Sequence, residues 1–117
     1  HHFAGLKRLL RDDGKSAQIW AAIDTNNIEA APLENRQKIA MEYARQLTRD
    51  PGGMREDIVK KLRTAGYSDG EILEINQVCA YFSYANRTVL GLGCSTNGDI
   101  LGLSPNKNDD PDDWNHT

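Results

Sequence analysis

The sequence is short of the features that announce most chemistries. Its two cysteines, Cys79 and Cys94, lie far apart in 117 residues, so they form neither a Cys-x-x-Cys redox pair nor half of a zinc site. No stretch approaches the roughly 20 apolar residues of a membrane span, and no signal-peptide pattern opens the chain. Aromatic residues are sparse at 7%. Basic excess is absent too: 14 Lys and Arg face 17 Asp and Glu, a formal charge of -3, which argues against a general nucleic-acid binder. Nor is there a glycine-rich phosphate loop, a Ser/His/Asp set or a metal-ligand cluster.

What is present fits one ordinary domain with a single core. The acidity is local, because residues 105–117 carry Asp109, Asp110, Asp112 and Asp113 against Lys107 while residues 1–104 balance. We read 1–104 as the domain and 105–117 as an acidic polar tail, in which Trp114 is a candidate for docking on a neighbouring surface. Without an export signal, Cys79 and Cys94 read as small buried hydrophobes in a reducing cytoplasm. The sequons at Asn86 and Asn115 are then coincidences.

The pattern along the chain is helical. Phe3, Leu6, Leu9 and Leu10 recur at helical spacing with Lys7, Arg8 and Arg11 opposite. No N-cap residue precedes them, so they read as the rear of a longer helix that Asp12-Asp13-Gly14 ends. Ser16 is the expected cap of a second helix carrying Ile19, Trp20 and Ile23. Ala31-Pro32-Leu33 opens a third, with Pro in its first turn and a stripe of Ile39, Ala40, Tyr43, Ala44 and Leu47. A Pro-Gly-Gly loop follows. Met54 to Ala65 forms a fourth helix with Ile58, Val59 and Leu62 inward, and Gly66 suits its left-handed C-terminal position. Ser68-Asp69-Gly70-Glu71 is a capping box. The helix it starts runs to about Gly91 and is apolar round most of its surface, which predicts a central, nearly buried element. A turn at Thr96–Asp99 and an extended Ile100–Leu103 close the domain. The class is all-α.

Few polar residues stand out. Asn86 and Arg87 lie on the most apolar helix, where a buried arginine needs a carboxylate or helix-end carbonyls. They read either as structural bonding inside a bundle or as groups aimed at a pocket or a subunit contact, and Tyr81 and Tyr84 are candidates to face the same region. His1 and His2 are either the remnant of a tag or native, since the helical pattern continues from them without a linker.

One set of motifs goes further. His1-His2 ahead of Gly5-Leu6, Tyr43-Ala44-Arg45-Gln46-Leu47-Thr48 with Pro51, Leu62-Arg63-x-Ala65-Gly66-Tyr67-Ser68-Asp69-x-Glu71-Ile72, and Tyr81-Phe82-x-Tyr84-x-Asn86-Arg87 follow one another through the chain. As a set they resemble the peroxidase-related branch of the alkylhydroperoxidase / carboxymuconolactone decarboxylase superfamily. The resemblance implies an AhpD-like helical bundle of about five helices with one long buried central helix. It also implies thiol-dependent reduction of hydroperoxides, an antioxidant role, by a homo-oligomer that takes a small hydroperoxide and a thiol reductant and binds no cofactor, metal, nucleic acid or membrane. In that family a thiolate attacks the O–O bond, and a second cysteine resolves the sulfenate as a disulfide, chemistry that needs a lowered thiol pKa. Here the matching Cys-x-x-Cys and relay glutamate would precede residue 1. His2 would be the general acid/base beside them, and Tyr81, Asn86 and Arg87 would build the pocket or the subunit interface. The alternatives are a carboxymuconolactone decarboxylase-type enzyme without redox cysteines, and a non-catalytic helical assembly module.

Overall fold

A computed structural model describes residues 2–98. His1, Ile100–Leu103, the tail from 105 to 117 and Trp114 lie outside the described residues, as do the expectations attached to them. Five α-helices and no strand occur among the described residues: α1 (His2–Leu10), α2 (Asp13–Asp24), α3 (Asn35–Arg49), α4 (Glu56–Thr64) and α5 (Asp69–Gly91). The all-α class holds. The chain gathers into two units, one built on α1 and α2 and the other spanning Leu33–Cys94.

In the first unit the chain turns between α1 and α2 at Arg11, whose φ of 51° is in the left-handed region. Asp12 is the cap of α2, accepting the Lys15 N–H at 2.9 Å, so Ser16 does not have the expected role. It lies one turn inside the helix, fully buried, with its hydroxyl donating to the Asp12 carbonyl at 2.7 Å. An aspartate placed earlier captures the first free N–H groups and leaves the serine free to fill the small space beneath. Ile19 and Ala22 are buried while Trp20 and Ile23 are substantially exposed. Trp20 is covered on one side by stacking on Phe3, with centroids 4.9 Å apart.

The second unit is built on Tyr43 of α3, Leu62 of α4 and Ile72 of α5, all buried, with Ile39, Ala40, Leu47, Ile58, Val59 and Ile75 packed around them. Each came from the helical stripes in the sequence. The start of α3 did not: Pro32 lies outside it, and the Glu34 N–H donates to the Gln37 side chain at 3.0 Å. At the end of α4, Gly66 takes a φ of 90°. The Tyr67 N–H can then donate to the Leu62 carbonyl at 3.1 Å, a turn that a β-carbon would strain.

The capping box at Ser68 forms as expected. Ser68 N–H donates to Glu71 Oε2 at 2.7 Å, and Glu71 N–H donates to Ser68 Oγ at 3.2 Å. The helix reaches Gly91 as read, but its expected burial does not follow. Of its 23 residues only Ile72 is buried, while Val78, Tyr81, Tyr84, Val89 and Leu90 are exposed.

The reason is length and direction. α3 and α5 run the same way, as shown by Arg36 meeting Glu71 and Tyr43 meeting Asn76. At 1.5 Å per residue, the 15 residues of α3 span about 22 Å and the 23 of α5 about 34 Å. α5 therefore outruns the surface that could cover it. Truncating the central residue tests where the stability lies. Leu62→Ala should destabilise the protein by about 2–5 kcal/mol in urea denaturation, and Leu73→Ala on the exposed side by less than about 0.5 kcal/mol.

Candidate functional site

The polar chemistry of the Leu33–Cys94 unit collects at the N-terminal end of α5. Arg36 Nη2 donates to Glu71 Oε1 at 2.6 Å, and its guanidinium lies 4.0 Å over the Tyr67 ring. Tyr67 in turn donates its hydroxyl to the Arg36 carbonyl at 3.2 Å. Arg63 Nε meets Asp69 Oδ1 at 2.8 Å. The Ser68 N–H, followed by Arg36, holds the Glu71 carboxyl below the usual carboxylate range. Glu42 is likewise lowered, chiefly by its hydrogen bond from Arg45. Every one of these groups is satisfied by a neighbour, and negative charge at the first turn of α5 suits the helix dipole. This cluster is structural.

The other end of α5 is different in kind. The stripe that buries Ile72 continues along the same side of the helix through Cys79, Ser83, Asn86 and Leu90, past the point where α3 ends at Arg49. An open groove of about 440 Å³ results, closed at one side by Thr48 of α3 and at its edge by Arg87. No acidic side chain lines it. Arg87 Nη1 donates to the Ser83 carbonyl at 3.0 Å, a bond within its own helix. The sequence argument expected Arg87 to be buried and therefore paired with a carboxylate or helix-end carbonyls. Its exposure at the groove rim removes that requirement.

Of the residues singled out from sequence, Asn86 and Arg87 are thus brought together in one groove. Tyr81 does not line it; this side chain is 62% exposed, and its ring meets Phe82 edge-on at 5.3 Å between centroids. His2 opens α1, exposed, in the other unit. Sequence reasoning missed Thr48 and Ser83, whose side chains are ordinary for helix surfaces and gain meaning only from where α3 stops. It also treated both cysteines as buried packing. Cys79 is partly buried, its thiol pKa pushed up by desolvation, whereas Cys94 is exposed just beyond the end of α5. A chain reversal at Gly93, with φ of 68°, carries Cys94 out of the helix. Among the described residues no three His, Cys, Asp or Glu side chains converge as a metal site, and no helix is long and apolar enough to cross a membrane.

A raised thiol pKa leaves little thiolate at neutral pH. Iodoacetamide should therefore alkylate Cys94 well before Cys79, read by peptide mass spectrometry; faster reaction at Cys79 would mark the groove as one that activates its thiol. Glu71 makes a separate prediction. Its depressed pKa contributes stability that is present above the unfolded-state carboxylate pKa and is lost as pH falls through the folded-state value. Glu71→Gln should lower the melting temperature at neutral pH, and the gap from the parent protein should close on acidification.

Comparison of the chain with protein-family models, with curated proteins and with solved structures finds no match.

Proposed function

We propose that this chain is the helical part of a peroxidase-related, AhpD-like protein that reduces hydroperoxides with thiols and works as a homo-oligomer. The observation that carries the reading is the ordered set of motifs from His2 to Arg87, together with where its members fall. The Leu62–Ile72 motif supplies the core leucine, the left-handed Gly66 and the Ser68–Glu71 capping box that joins α4 to α5. The Tyr81–Arg87 motif places Asn86 and Arg87 in the groove of α5. There Arg87 stands beside the apolar side chains of Val78, Phe82 and Leu90, a lining that fits the pocket or subunit-interface role the resemblance implies for Asn86 and Arg87.

The thiol chemistry requires a Cys-x-x-Cys pair ahead of His1. A thiolate there would take the distal oxygen of the hydroperoxide as a sulfenic acid and release an alcohol. The second thiol would then expel water and form the disulfide, which an external dithiol reduces. His2 would hold or supply the proton that the departing alkoxide needs. Cys79 fits neither thiol role, because burial raises its pKa. The wide separation of Cys79 and Cys94, which rules out a redox pair between neighbours on one helix turn, favours a second reading. In it a carboxymuconolactone decarboxylase-type enzyme, or a helical assembly module, uses the same scaffold without redox cysteines.

Two measurements decide between them. The coding sequence upstream of His1 should contain Cys-x-x-Cys, with a glutamate about a dozen residues earlier, a spacing carried by the family resemblance. The protein that includes it should consume hydroperoxide with a dithiol, lose all activity on thiol alkylation, and lose about 10²–10⁴-fold with His2→Ala. Absence of the cysteine pair, or activity that survives alkylation, removes the redox reading and leaves the second.

A further inference from the structure

We propose that the cavity between α3 and α4 binds a small monocarboxylate whose body is one ring or a short branched chain, with Lys61 holding its carboxylate. The site is separate from the groove of α5, and the proposal does not rest on hydroperoxide chemistry. Ile39, Glu42, Tyr43 and Gln46 recur at three- and four-residue steps, which puts them on one face of α3, and Ile58 and Lys61 lie three apart on α4. These six side chains enclose about 170 Å³. Gaps larger than a water molecule are few in a packed protein. This one adjoins the core, since Ile39 and Ile58 pack against the cluster of Tyr43, Leu62 and Ile72.

Volume and walls decide the kind of occupant. An apolar cavity of about 150 Å³ takes up a benzene-sized guest, so this one has room for a single ring, whereas a helix about 10 Å across does not fit. Its walls are two helices already packed on each other through Tyr43 and Leu62. The cavity is therefore a gap within the Leu33–Cys94 unit and not an uncovered face.

Charge fixes the chemical class. Glu42, the one acid among the lining residues, is engaged by Arg45, whose Nε donates to Oε2 at 2.8 Å and whose Nη2 meets Oε1. That two-pronged pairing satisfies the Glu42 carboxylate. Lys61 acts on Glu42 through its charge alone, and among the described residues its ammonium makes no ion pair or hydrogen bond. On its other side Lys61 borders a wider hollow with Asp57 and Lys60. There Lys60 is paired with Glu56 at 3.1 Å, and no ion pair joins Asp57 to Lys61. The Gln46 amide is held by a long 3.5 Å contact to Asp50 and can turn to donate beside Lys61. One uncommitted ammonium matches one negative charge. A phosphate monoester, with about two charges and three acceptor oxygens, needs more donors than this rim provides, and a cationic guest would meet Lys61 directly.

Titration of the full chain with sodium benzoate, followed by amide NMR, tests this. Benzoate should shift Ile39, Gln46, Ile58 and Lys61 saturably, with a Kd in about the millimolar range open to so small a ligand. Benzyl alcohol, the same ring without the charge, should bind about three- to tenfold more weakly. Lys61→Gln should weaken benzoate by that factor and leave benzyl alcohol unchanged, while Lys60→Gln, which removes a neighbouring charge, should change neither. Equal affinity for the two probes, or benzoate affinity unaltered in Lys61→Gln, overturns the carboxylate assignment. Shifts that never saturate, or that gather at Asn86 and Arg87 instead, overturn the site. So does a nuclear Overhauser contact in the free protein between Ile58 and a side chain outside Leu33–Cys94, because another part of the chain would then fill the cavity. Hydroperoxide consumption enters none of these readouts, so their failure and that of the thiol reading are distinguishable.

Discussion

Leu62 has no exposed surface, and the Leu33–Cys94 unit is arranged round that fact. Tyr43 from α3 and Ile72 from α5 close over it. Burial of a leucine side chain is worth about 1.5–3 kcal/mol, and only three helices meeting at one point can exclude water from all its sides. The Tyr43 hydroxyl is kept satisfied within the cluster by accepting from Asn76 Nδ2 at 2.9 Å, so an aromatic ring can be buried there without a lost hydrogen bond. Because that junction engages only the first third of α5, the rest of the helix is anchored at one end and uncovered at the other.

The two ends of α5 divide the work accordingly. Its first turn is dense with charge, each group matched by a near neighbour: Glu71 by Arg36 and Asp69 by Arg63. These pairs are half exposed and solvent-screened, so they set the entry angle of the helix more than they add stability. Its last four turns carry one charge and line an open groove. A helix of that composition has little reason to stay formed alone in water.

Sequence reasoning located elements better than it located burial. The capping box at Ser68, the left-handed Gly66, the end of α5 near Gly91 and the inward residues of α3 and α4 were all legible, because each depends on neighbours within one or two turns. Ser16 was misassigned as a cap, since two residue types that cap equally well lay four apart and the nearer free N–H groups decided between them. The central helix was read as buried because apolar residues surround it, yet apolar residues record what a surface needs and not which chain supplies it. Asn86 and Arg87 stood out as polar on an apolar helix; Thr48 could not, since its place at the groove depends on α3 ending where it does.

The sequence by itself determined an all-α chain, the boundaries of its longest helix and the inward residues of α3 and α4. Those are properties of local periodicity and capping. Only the tertiary structure decided that α3 and α5 run in the same direction with unequal lengths. That mismatch leaves Cys79, Asn86 and Arg87 round one groove. The physical reason is that coverage of a helix is set by the length and direction of its neighbours, and neither is written in the helix's own residues.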